Sequence, residues 1–184
     1  MNVLILGIVV FFGVHLVPIS PLKKIIINRF DENKYRGLFS LIAIAGLLII
    51  IYGFSRADFY SVWNPLPYSR QIALMLMPIS IILLVAANVQ TNIKRFIKHP
   101  MLVGITIWSL VHLLANGDLR SILLFASFGA YALVDIIFSK KNLATNNSTN
   151  YTLTKDIAVV IIGLIVFAII VYFHKYIAGV AIIL

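Results

Sequence analysis

Six apolar runs, each set off by a short polar segment, fix what this chain can become: residues 2–22, 38–54, 72–88, 101–115, 119–138 and 157–172, with an apolar tail after the last. A helix that crosses a bilayer needs about 20 mainly apolar residues. Only helices and closed barrels keep every backbone N–H and C=O bonded inside lipid. The runs are continuously apolar and do not alternate, so they predict helices. With 61% hydrophobic and only 11% charged residues among 184, little sequence remains from which to build a soluble domain. The expected fold is all-α: one domain over 1–184, a polytopic membrane helix bundle of about six transmembrane helices surrounded by membrane lipid. The fourth run is short, at 15 residues. It rises about 22 Å against a hydrocarbon core of about 30 Å, so its end is expected below the membrane surface.

The formal charge of +9 invites a nucleic-acid reading, but the positions of the basic residues argue against one. Lys23, Lys24, Arg29, Lys34 and Arg36 fall in the first loop, Lys94, Arg95 and Lys98 in the third, and Lys140, Lys141 and Lys155 in the fifth. In or beside the second and fourth loops are only Arg56, Arg70 and Arg120. This asymmetry is the positive-inside bias of a membrane protein. It predicts cytoplasmic odd-numbered loops, both termini outside, and no nucleic-acid partner. The absence of cysteine excludes disulfides and thiolate metal sites.

The first run lacks the basic leader and small-residue cleavage site of a signal peptide, so it is expected to stay as a span. The fifth loop is polar and low in complexity. Its Asn-x-Ser/Thr triplets at Asn146, Asn147 and Asn150 would face the cytoplasm, so they are not expected to carry glycans.

Candidate chemistry rests on the histidines. His15, His99, His112 and His174 each lie in or beside a predicted span, where an ionisable side chain is costly and usually faces a bundle interior or a bound group. His99 and His112 are separated by about 20 Å of helix rise and roughly 220° of rotation, so they cannot share a metal. His99 precedes Pro100, which suits a first helical turn. It is either an interfacial residue or part of a cofactor mouth.

Gly104, Trp108 and His112 lie at four-residue spacing, and so do Gly7, Phe11 and His15. Each series offers a small residue, a flat apolar wall and an imidazole. Two such stripes would suit a flat macrocycle with one axial histidine from each helix. The same glycines would also serve plain helix packing. His15 lies about 12 Å below the first loop's charges, whereas His112 lies about 21 Å from Lys98, so a macrocycle between them would be tilted.

Asn116-Gly117-Asp118 is a turn signal in which Asn-Gly favours positive φ. Asp118 is expected to cap the following helix, with a second role near His112 left open for Asn116 and Asp118. His174 is expected at a membrane edge, where it could line the same outer cavity. Tyr60, Trp63 and Tyr68 fit an interfacial aromatic belt. Signatures of metal hydrolases, serine hydrolases and P-loop proteins are absent.

The segments "FFGVHLVP", "YRGLFSLIAIAGLLIIIYGF" and "HPMLVGITIWSLVHLLANGDLRSILLFASFGAYALVD" resemble the NnrU family of bacterial membrane proteins, over nearly the whole chain. The family is named for an association with nitric oxide and nitrite metabolism in denitrifying bacteria. It is similar in turn to the zeta-carotene isomerase of plants and cyanobacteria, which holds haem b between two histidines. Matched motif to motif, those ligands fall on His15 and His112. The resemblance thus implies a multi-pass inner-membrane protein binding haem b, with a redox, cis–trans isomerase or nitric-oxide-related role and a hydrophobic small molecule as a candidate substrate. A second resemblance, of "HPMLVG" to the "RHPxxxG" block of isoprenylcysteine-type membrane methyltransferases, implies S-adenosylmethionine binding at His99 instead. Here Lys98 replaces the arginine, and that family's carboxy-terminal acidic and arginine-bearing helix has no clear counterpart. A non-enzymatic membrane factor for nitrogen-oxide respiration is the third reading. Oligomeric state has no signal in the sequence.

Overall fold

The computed structural model describes residues 1–138, 151–180 and 182. Lys140, Lys141, Asn146, Asn147 and Asn150 lie outside the described residues. Within them are eight α-helices and one 3-10 turn, and no named strand: α1 Asn2–Leu16, the 3-10 turn Val17–Ile19, α2 Leu22–Phe30, α3 Glu32–Arg56, α4 Ser69–Ala86, α5 Ile93–Phe96, α6 Pro100–Ala115, α7 Leu119–Phe138 and α8 Leu153–Ala178.

Five of these are long and apolar enough to cross a membrane: α1 with its 3-10 extension, α3, α4, α7 and α8. The apolar α6 has 16 residues, the short helix anticipated. Large apolar side chains such as Val9 (62% exposed), Leu41 (66%) and Met75 (74%) stand on the outsides of these helices. So many exposed apolar groups suit a hydrocarbon surrounding and not water. The all-α polytopic membrane fold read from the sequence is the fold observed.

Several helix ends differ from the expected ones. The first span leaves α-geometry at Leu16, where Pro18 enters a 3-10 turn, and α2 forms as a separate helix inside the first loop. Helix α3 begins at Glu32 and not near residue 38, because Asp31 caps it by accepting from the amides of Asn33 (2.7 Å) and Lys34 (3.0 Å). Its charged first turns fall outside any apolar window. Helix α8 likewise runs from Leu153 to Ala178, past both ends of its apolar run, and stops at Gly179, whose φ of 73° supplies the left-handed end.

The chain forms two compact units. The first comprises Met1–Asn64 and Gly117–Ser127; the second comprises Pro65–Asn116 and the described residues from Phe128 onward. In the first unit α1 packs on α3. A Cβ on Gly7 would lie 2.6 Å from the Ile50 amide, one on Gly46 2.9 Å from the Phe11 Cα, and one on Gly53 2.4 Å from the Leu4 amide. In each pair the two residue numbers sum to the same value, which is the signature of an antiparallel register. Leu4 and Ile50 are sealed in this seam, at 0% and 3% exposure.

The same unit contains a clasp. The amides of Val62 and Trp63 both donate to the Gly117 carbonyl (2.8 and 3.1 Å), and the Leu119 amide donates to the Tyr60 carbonyl (2.8 Å). Asp118 is buried and ion-paired with Arg120 at 3.3 Å. The Arg120 guanidinium stacks over Phe54 and Phe59 and donates to the Ala57 carbonyl.

In the second unit α4 packs on both α6 and α8. The buried Ser80 hydroxyl donates to the Gly104 carbonyl (2.7 Å), and Gly163 admits Ile82 against the α8 backbone. A polar lock joins the chain before α5 to the start of α8. Asn92 donates its amide N–H to Asp156 Oδ1 (2.8 Å) and its side-chain Nδ2 to Oδ2 (2.6 Å), and it also exchanges bonds with the Tyr151 backbone.

Candidate functional site

His15 sits at the end of α1 in the first unit, half-buried. Its Nδ1 lies 2.6 Å from the Phe11 carbonyl, one turn back. A carbonyl oxygen only accepts, so Nδ1 carries the proton, and in the neutral ring Nε2 carries the lone pair. Aromatic rings surround the imidazole: Phe11 at 4.2 Å between centroids and tilted 30°, and Phe39 of α3 at 5.2 Å, edge-on.

His112 repeats this build in the second unit. Its Nδ1 donates to the Trp108 carbonyl at 2.7 Å, again one turn back. Trp108 lies 5.1 Å from the imidazole and meets Phe128 edge-on at 5.5 Å. Asn116 ties off the helix end beside it, donating both its backbone N–H and its Nδ2 to the His112 carbonyl, each at 2.9 Å. His174 lies in the same unit, near the end of α8. Its own Nδ1 donates to the Val180 carbonyl at 2.7 Å. His99 is the residue before α6. Its carbonyl accepts from Val103, and Pro100 follows it, buried in the first turn.

Holding Nδ1–H on a carbonyl sets ring orientation and leaves Nε2 as the donor atom for a metal, the usual arrangement of a metal-bound histidine. Each imidazole, with its flat neighbour, therefore fits an axial haem ligand in tautomer and in apolar surroundings. Among the described residues no three His, Cys, Asp or Glu side chains gather to hold an ion. A cavity lined by Met1, Asn2, Val3, Gly53, Arg56 and Asp58 opens at the opposite end of the α1–α3 pair from His15.

Two sequence expectations change. Gly7 and Gly104 do not leave gaps for a macrocycle: the α3 backbone fills the space beside Gly7, and the Ser80 carbonyl lies 2.9 Å from where a Gly104 Cβ would be. Residues eight apart on a helix also diverge by about 80°, so neither histidine shares its glycine's face. Nor does Asn116-Gly117 adopt positive φ. Asn116 is extended (φ −130°, ψ 127°), and Ser61 and Asp118 form an antiparallel bridge. Glycine is needed at 117 because a Cβ there would lie 1.8 Å from the Trp63 carbonyl oxygen. Asp118 does cap α7, accepting from the Ser121 amide at 3.1 Å.

The structure also brings forward residues that no sequence pattern singled out. Ser80 bonds across helices, and Asn92 with Asp156 forms the polar lock. Tyr35 is 8% exposed, and its hydroxyl makes no hydrogen bond among the described residues. Nothing in a lone tyrosine near a helix start signals this.

Fold and composition thus define a multi-pass α-helical membrane protein with aromatic-flanked histidines in its apolar helices. The sequence pattern of the family described as "NnrU protein" matches residues 3–182, and the chain belongs to that family. Comparison with curated proteins and with solved structures finds no match.

Proposed function

We propose that this chain is an integral membrane haem b protein in which His15 and His112 are the axial ligands. The observation that carries this reading is the shared build of the two residues: Nδ1–H held on the carbonyl one turn back, with a flat side chain alongside. The sequence resemblance chose the same pair independently of that geometry. Bound haem b would supply one-electron chemistry and, where an axial position opens, a coordination site for a small ligand or an unsaturated substrate.

The protein's own contribution is orientation and exclusion of water. The Phe11 and Trp108 carbonyls fix the imidazole tautomers, and the rings of Phe11, Phe39, Trp108 and Phe128 keep the surroundings apolar. Asn116 secures the end of α6 beside His112. A redox, cis–trans isomerase or nitric-oxide-related role follows from this chemistry, with a hydrophobic small molecule as the class of substrate. The charge bias of the loops favours a bacterial inner-membrane location with odd-numbered loops cytoplasmic and both termini outside.

The test is the haem content of protein purified in mild detergent from haem-replete cells, measured per chain as the pyridine complex. A content near one haem per chain is expected. Protein that stays haem-free when haem is also added after purification would overturn the reading.

A further inference from the structure

The buried Tyr35 hydroxyl, near the start of α3, has no hydrogen-bond partner among the described residues. Burying a hydroxyl in this way costs free energy, so an orphan of this kind calls for a cause. The antiparallel register of α1 and α3 gives its position. Phe39, one turn after Tyr35, lies edge-on to His15 at 5.2 Å, and the Tyr35 ring lies 6.2 Å from Phe39. Three rings therefore run in a row from His15 toward the start of α3, where α2 packs against α3. That end of the row borders the charged stretch Asp31 to Arg36. Glu32 already pairs with Arg36, and Asp31 with Lys34, so the nearby carboxylates have partners of their own.

Haem b has an apolar face and edge but carries two carboxylates. An unpartnered carboxylate inside the apolar layer is far costlier than an unpartnered hydroxyl. A macrocycle ligated at His15 must therefore direct these groups toward polar donors at the membrane edge. The Tyr35 O–H is a donor in want of an acceptor, on the same end of the α1–α3 pair as His15.

We propose that the Tyr35 hydroxyl donates a hydrogen bond to a carboxylate of the haem bound at His15. This rests on the haem reading above. Tyr35 is a binding residue for the cofactor, and it makes no contact with the reacting atoms.

Tyr35→Phe removes the oxygen and keeps the ring, and three readouts are taken on the full-length protein in detergent. The first is haem loss to an excess of a competing haem-free globin. It should quicken tenfold or more, as expected for losing a hydrogen bond to a charged acceptor. The second is the reduction potential, which should fall, because an unscreened carboxylate favours the ferric state. The third is thermal unfolding of the haem-free protein. The variant should melt no lower than wild type, since it no longer buries an orphan hydroxyl. Unchanged haem loss and potential would overturn the proposal while leaving the haem reading intact. A lowered melting temperature in the haem-free variant would assign Tyr35 a structural role and also overturn it. A wild-type protein that takes up no haem would remove both.

Discussion

Along α1 and α3 the backbones come into contact at Gly7, Gly46 and Gly53, whereas α4 and α6 meet through a hydroxyl–carbonyl bond between Ser80 and Gly104. Both arrangements carry a histidine in the same local geometry. They should fail in different ways. The first depends on the absence of side-chain volume, because backbone atoms cannot swing aside. The second adds a polar partner, which lipid cannot replace, to the small volume of Gly104, where a Cβ would lie 2.9 Å from the Ser80 carbonyl. A membrane protein can thus carry histidines of one local geometry on scaffolds held together in different ways.

The comparison is broken most sharply at Gly53. The first carbon of any side chain added there would lie 2.4 Å from the Leu4 amide nitrogen. Gly53→Leu should therefore cost about 3 kcal/mol or more, at or above the usual cost of overpacking. Circular dichroism melting in detergent would show this. Gly13 is the control on α1, since a Cβ there meets nothing within 4 Å. Gly13→Ala should be neutral or stabilising, by up to about 1 kcal/mol. Equal effects at the two positions would contradict the register described for α1 and α3.

A smaller effect is expected in the second unit at Asp156, which accepts two bonds from Asn92. Asp156→Ala should cost about 1–3 kcal/mol by leaving those donors unmatched, with protease sensitivity rising near residue 151. Smaller again is Ser80→Ala. Hydrogen bonds between membrane helices average about 0.6 kcal/mol and reach about 1.7. Ser80→Val adds volume beside Gly104 and should exceed Ser80→Ala, which separates packing from bonding at that contact.

The spans were legible in the sequence because lipid imposes one requirement on every residue of a crossing helix, and continuous apolar runs report it directly. Helices α2 and α5 were not legible. They are short pieces of basic loops with no long apolar window, and their existence depends on what the chain does on either side. The start of α3 was hidden by its charged first turns, although Asp31 was a readable cap. His15 and His112 stood out because imidazoles are rare in such surroundings. The roles of Gly7, Gly104 and Gly117 were misread, because a glycine's purpose is set by which backbone approaches it, and that partner lies far off in sequence. Gly117 answers to Trp63 and Gly104 to Ser80. Tyr35 could be found only in three dimensions, where its buried hydroxyl lacks a partner among the described residues.

The central claim is that His15 and His112 ligate one haem b. Its most direct test is the visible absorption spectrum of the purified protein, oxidised and dithionite-reduced, beside His15→Ala, His112→Ala and the control His174→Ala. A Soret band with sharp reduced α and β bands in wild type and in His174→Ala, lost or shifted in both of the other variants, is the expected result. A featureless wild-type spectrum after expression with added haem, or a spectrum indifferent to either histidine, would contradict it.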